Sequence, residues 1–177
     1  MACDLTTGRT RACYDSVAGI KAVYFADYGT MGAITYDITN TDVISVIASG
    51  DFFQYDLKGN ANTYTEAITK QVDNGTASFV QTLQFTLPKL TKSASKELKL
   101  LMYGSPHVVV QDYNDNYLLM GLINGADITS GGMVTGGARS DLSGWTITMT
   151  AEEQTSANFL DDASVISGLI SAVQESP

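Results

Sequence analysis

Asp112-x-Asn114-x-Asn116 sets three oxygen-bearing side chains at alternate positions, as the start of a calcium loop does. The rest of such a loop is missing, because Tyr117 stands where the turn glycine belongs and Ile123 where a bidentate glutamate would close the site. The triplet therefore reads as a hairpin turn. His107 is the only histidine, so a Ser/His/Asp relay would have to be built on it. It heads an apolar strand after Ser105-Pro106 and reads as structural, and its replacement by alanine is expected to leave folding and assembly essentially intact. Glu152-Glu153 and Asp161-Asp162 hold enough carboxylates for a glycosidase-type pair, yet acids at helix starts account for them without catalysis. Gly131, Gly132, Gly136 and Gly137 follow neither GxGxxG nor a Walker pattern and read as a flexible loop. Cys3 and Cys13, the only cysteines, are too few for a zinc site; free thiols are favoured, with a disulfide as the alternative. No residue stands out as a catalyst, and neither a metal nor a cofactor is expected.

The elements around these residues are mostly strands. Residues 107–111 and 117–123 form apolar runs on either side of Tyr113-Asn114-Asp115-Asn116, which is how an antiparallel hairpin is written. Trp145, Ile147 and Met149 alternate with Thr146, Thr148 and Thr150 at the period of a half-buried strand, expected as the third strand of the same sheet after a loop at 131–137. Earlier strands are expected at 19–27, 33–39, 43–48 and 52–57, the first with Val23, Tyr24 and Phe25 covered on both faces. Residues 64–70 and 77–87 should pair across Asp73-Asn74-Gly75. On the second of these, Phe79, Gln81, Leu83, Phe85 and Leu87 share one face, and Ser78, Val80, Thr82, Gln84 and Thr86 the other. A helix is expected over 93–103, capped by Ser93, with Ala94, Leu98, Leu101 and Met102 on the sheet and Gly104 and Pro106 as its stop. Asp161 or Asp162 should cap a C-terminal helix reaching about residue 173 through Val165, Ile166, Leu169, Ile170 and Val173. The expectation is one domain over 1–177, mainly β, with two packed antiparallel sheets, a flanking helix, an N-terminal arm over 1–18 and a helical extension over 161–177.

Composition limits what this domain can do. Ten basic against nineteen acidic residues leave a net charge of −9, which argues against a groove that neutralises nucleic-acid phosphates. The charged fraction of 16% is low for a soluble protein, so neutral Thr, Ser, Asn and Gly must cover much surface, as on faces that meet another subunit. No run approaches a membrane span, and Asp4, Arg9 and Arg11 interrupt the N-terminus where a signal peptide needs an apolar core. Synthesis in the cytoplasm is expected, and Asn74-Gly75-Thr76 then reads as a turn and not as a glycosylation sequon.

The order FTLPKL, a short helix closed by glycine, VVVQDYNDNYLLMG, a glycine-bearing loop and DLSGWTITMTAEEQTSANFL resembles the tail tube (major tail) proteins of tailed bacteriophages over roughly residues 63–160. The resemblance implies two packed β-sheets with a flanking helix, closing into homo-hexameric rings that stack as a tube in the virion. Phage DNA would pass through the lumen without specific binding, other tail proteins would be partners, and no enzymatic activity is implied. Connector, collar and baseplate-hub proteins share the implied fold, and a β-sandwich glycan-binding module is the rival from another class. Contacts with adjacent rings are expected from the loop between Ser49 and Tyr64 and from the N-terminal arm, read as long irregular segments able to reach beyond the domain, with Asp51, Phe52, Phe53, Tyr55, Tyr64, Cys3 and Cys13 as the subunit-interface residues.

Overall fold

Val23, Tyr24 and Phe25 lie in a strand with cores on both faces, so three successive apolar side chains all find cover. A computed structural model describes residues 8–9, 14–59 and 61–173. In chain order its elements are β1 (Ile20–Ala26), β2 (Ile34–Tyr36), β3 (Val43–Ile47), β4 (Phe52–Asp56), β5 (Thr63–Gln71), β6 (Thr76–Pro88) and α1 (Lys92–Tyr103). There follow β7 (His107–Asp112), β8 (Tyr117–Met120), β9 (Asp127–Val134), β10 (Gly144–Glu153), β11 (Asn158–Leu160), α2 (Ser164–Ser167) and β12 (Ile170–Val173). The fold is mainly β and sandwich-like, with an eight-stranded sheet in the order β12-β4-β1-β7-β8-β11-β3-β2 and a four-stranded sheet in the order β5-β6-β10-β9.

The first core lies between the sheets. Val23 and Phe25 of β1, Val108 and Val110 of β7 and Met120 of β8 meet Leu83, Phe85, Ile147 and Met149 of the smaller sheet, and Leu98 of α1 packs against them. The second core lies on the other face of the large sheet, where Tyr24, Ile44, Phe52, Val109 and Leu119 gather beneath Val165 and Ile166 of α2. Chain geometry explains how one sheet encloses a core. Ile47 ends β3 and Phe52 begins β4, yet these strands are seventh and second in the sheet. Five residues reach at most about 18 Å, whereas five strand spacings in a flat sheet amount to about 24 Å. The sheet must roll, and its concave face becomes an interior without the barrel closing.

Several elements differ from the sequence expectation. β10 does not join β7 and β8; it pairs with β6 from Gly144↔Pro88 to Glu153↔Phe79, and so belongs to the other sheet. The glycines read as loop supply part of β9, where Gly131 lies opposite Ile147 and a Cβ there would stand 3.1 Å from the Thr146 carbonyl oxygen. Glycine in that strand permits a close approach. The C-terminal helix is one turn, stopped at Gly168, and Ile170–Val173 form a strand parallel to β4. A free edge on β4 outweighs the helical spacing of the apolar residues. Thr91, not Ser93, caps α1, its Oγ1 accepting the Ala94 N–H at 3.2 Å. Leu98 is buried and Leu101 half-buried, but Met102 is 60% exposed, so the apolar stripe of α1 extends beyond what the sheet covers.

Candidate assembly interface

The four-stranded sheet is made by hairpin β5–β6 and by the β10 strand that carries β9 on its far side. Strand alternation sends Leu83, Phe85, Ile147 and Met149 into the first core. The residues between them point away from the domain, in cross-strand rows such as Thr65–Thr82–Thr150 and Thr86–Thr146. This outer face is built from threonine, serine, glutamine and small residues, which favour strands without adding charge. Its charged members are Asp127, opposite Thr150, and Glu152, opposite Val80; both are acidic. Among the described residues the sheet ends at β5 on one side and β9 on the other, strands of nine and eight residues with no further partner. Long unpaired edges of this kind are templates for pairing with another chain.

Exposed apolar side chains cluster beside these edges. Ile68 is 71% and Val72 82% exposed at the projecting end of the β5–β6 hairpin. At the other edge, Met133 and Val134 of β9 are exposed, as are Leu100, Met102 and Tyr103 of α1. A cavity of about 350 Å³ opens between α1 and β9 against Leu98, Met102, Trp145 and Ile147. Gly131 and Gly132 line it and contribute no side chain to fill it, and the Trp145 Nε1 beside it is buried without a hydrogen-bond partner.

The sequence-expected interface residues fall into different environments. Asp51 is exposed and accepts a hydrogen bond from the Ser171 hydroxyl. Phe52 is wholly inside the second core and has no surface to offer. Phe53 is 39% exposed, and Tyr55 is half-buried edge-on to Phe25 at 5.4 Å. Tyr64 packs against the first core. Cys3 and Cys13 lie outside the described residues. The segment from Ser49 to Tyr64 is not a long irregular loop, because β4 runs through it between β1 and β12. Period-two alternation along Phe52-Phe53 shows which face each ring takes but not that both faces are covered. The open edges β5 and β9 are candidate contact surfaces that the sequence reading did not name; their signal in the sequence is the neutral Thr/Ser/Gln face at 78–86 and 146–150.

The residues with chemical potential are occupied by structural bonds. Asp112 Oδ1 accepts the backbone N–H groups of Asn114 and Asn116, each at 2.8 Å, and Oδ2 accepts the Asn116 side-chain amide at 2.8 Å. Desolvation raises the pKa of this carboxyl, but the bonds from Asn116 and Asn114 outweigh it and the net shift is downward. Asp115 takes a left-handed φ of 57° and pairs with Lys21 at 2.9 Å. His107 is 4% exposed; its Nε2 accepts the Gly29 N–H at 3.4 Å, which leaves Nδ1 to donate to the Gly121 carbonyl at 2.7 Å. It also stacks on Tyr28 at 5.2 Å. The expectation that its replacement costs nothing conflicts with this degree of burial.

Of the acidic pairs, Glu153 and Asp162 are engaged in structural bonds, and not both at a helix start. Glu153 sits at a strand end, where Oε1 accepts the N–H groups of Ile123 and Asn124 at 2.9 Å each. Asp162 accepts the Ser164 N–H at 2.6 Å ahead of α2. Among the described residues no three His, Cys, Asp or Glu side chains converge as a metal-ligand set. No described helix is long and apolar enough to cross a membrane.

No family model, no characterised protein sequence and no solved structure matches this chain.

Proposed function

We propose that this chain is a structural virion protein of a tailed bacteriophage, without catalytic activity, that forms hexameric rings stacked into a tail tube through which DNA passes. The virion setting and the sixfold count come from the resemblance of its motifs to tail tube proteins. The observation that carries the reading is the four-stranded sheet with two long open edges and an uncharged-to-acidic outer face.

Successive neighbours in this sheet are all antiparallel, so β5 and β9 run in opposite directions. In copies related by rotation, β5 of one then meets β9 of the next antiparallel, and the alternation continues around the ring without a break. A contact of this head-to-tail kind closes into a ring when the rotation allows it. Six such four-stranded sheets close on about 24 strands, and at about 4.8 Å per strand the ring would be about 37 Å across, before strand tilt widens it. The threonine face would line the lumen. Without a Lys or Arg track, phosphates find nothing to hold them, and the acids at Asp127 and Glu152 repel them.

Negative-stain microscopy of the purified protein tests the reading. Rings or tubes are the expected result; particles that remain single copies at every concentration examined would overturn it.

A further inference from the structure

A second cleft, of about 670 Å³, lies between α1 and β4 at the end of β1. Its floor and walls are Phe25, Phe53 and Tyr55, and Asp27 and Glu97 supply carboxylates. No lysine or arginine is among its lining residues. The two carboxylates are exposed rather than consumed by the core, and Phe53 keeps part of its ring in the open. Burial and then the charge of Glu97 push the Tyr55 hydroxyl pKa up, so the carboxylate acts on the aromatic wall. Aromatic faces beside carboxylates suit a guanidinium, which stacks on rings and bonds carboxylates in a fork.

The chain carries its own candidate for that cleft. Arg9-Thr10-Arg11 lies in the N-terminal segment, and in an extended chain residues two apart face the same way, about 6.6 Å from each other. Arg9 is exposed, and Arg11 lies outside the described residues. The root of this segment is fixed by Asn114, whose side-chain oxygen accepts the Val17 N–H and whose amide donates to the Val17 carbonyl, each at 2.8 Å. That anchor is at the end of β1 where Ile20 lies beside Asp112, whereas the cleft is at the other end, where Ala26 lies beside His107. β1 has β4 and β7 on its flanks and a core on each face, so the segment cannot run back along β1 itself and leaves the domain at the end opposite the cleft. A copy stacked head to tail would instead present its cleft to the outgoing segment.

We propose that the α1–β4 cleft receives the N-terminal segment of a second copy in the adjacent ring, with Arg9 and Arg11 seated between the aromatic walls and the carboxylates of Asp27 and Glu97. This rests on the stacked-ring reading above and gives the arm, expected to reach an adjacent ring, the site and the two arginines by which it would dock there.

Charge exchange tests it. Both Arg9→Glu/Arg11→Glu and Asp27→Lys/Glu97→Lys change exposed or terminal positions, so each variant should fold and melt like the parent protein. Each alone should still form rings, with the stacked fraction in sedimentation and electron microscopy reduced about tenfold or more. Mixed in equal amounts, the two variants should stack again, because each arm then meets a cleft of opposite charge. Either variant stacking like the parent, or a mixture that stays as single rings, would overturn the proposal while leaving the ring reading intact. A parent protein that makes no rings would remove both.

Discussion

Gln81 of β6 accepts the backbone N–H of Gly121 through Oε1 at 3.0 Å, a buried bond between the two sheets across forty residues of sequence. The same glycine gives its carbonyl to His107, so both polar groups of one peptide position are satisfied by buried side chains. Gly121 holds a φ of 69°, and a Cβ there would stand 2.6 Å from the Gly125 carbonyl carbon, so no other residue fits the junction.

Removing either partner should therefore be felt. Gln81→Ala and His107→Ala are each expected to lower unfolding free energy by about 1–3 kcal/mol, the cost of a buried backbone group left unpaired plus lost packing. Chemical denaturation checks both, and the double variant should cost less than the sum, because the two bonds share one residue.

The stripe on α1 divides into a core part and an exposed part. Leu98→Asp should cost about 3 kcal/mol or more, since it places an unpaired charge in the first core. Met102→Asp should stay within about 0.5 kcal/mol in the free subunit. Thermal melting of the two variants side by side reads the difference, and equal midpoints would remove Leu98 from the core.

The turn at Asp112 is held by hydrogen bonds from the amides of Asn114 and Asn116. Addition of EDTA should leave the melting temperature unchanged, whereas Asp112→Ala should lower it, because it strips acceptors from the N–H groups of Asn114 and Asn116. A drop in stability on chelation would restore a calcium role for Asp112-x-Asn114-x-Asn116.

Stability should fall at both extremes of pH. Asp37, Asp112, Asp115, Asp141 and Asp162 all titrate below the ordinary carboxylate range, mostly because backbone and side-chain groups donate to their charged forms. Their contribution is present above the unfolded value of about 3.9 and is lost as pH falls through the depressed values. Tyr24 moves the other way: burial, then the nearby Tyr117, Asp56 and Asp115, push its hydroxyl up to about 12 while it donates to Gln111 Oε1 at 2.9 Å. Its contribution is complete below the unfolded value of about 10 and disappears as pH rises toward the folded one. Melting temperature against pH should show a plateau between these limits.

Strand and turn positions were legible because alternation and turn chemistry act locally. The pairing of residues 64–70 with 77–87 and the hairpin at 107–123 needed only nearby residues, and β5–β6 and β7–β8 form as read. Sheet membership was not legible for Trp145, Ile147 and Met149, since a period of two states that one face is buried and not against what. Ile170 and Val173 fit a helix by spacing and became a strand because β4 had an open edge. Phe52 was misplaced for a related reason: the rolling of the large sheet, which follows from the short β3–β4 connection, covers a face that the residues alone leave open.

A high-resolution map of the assembled protein should show β5 of each subunit hydrogen-bonded antiparallel to β9 of its neighbour, with Thr65, Thr82 and Thr150 facing the lumen. Copies that remain separate, edges left unpaired within a ring, or a lumen lined by lysine and arginine would contradict this arrangement.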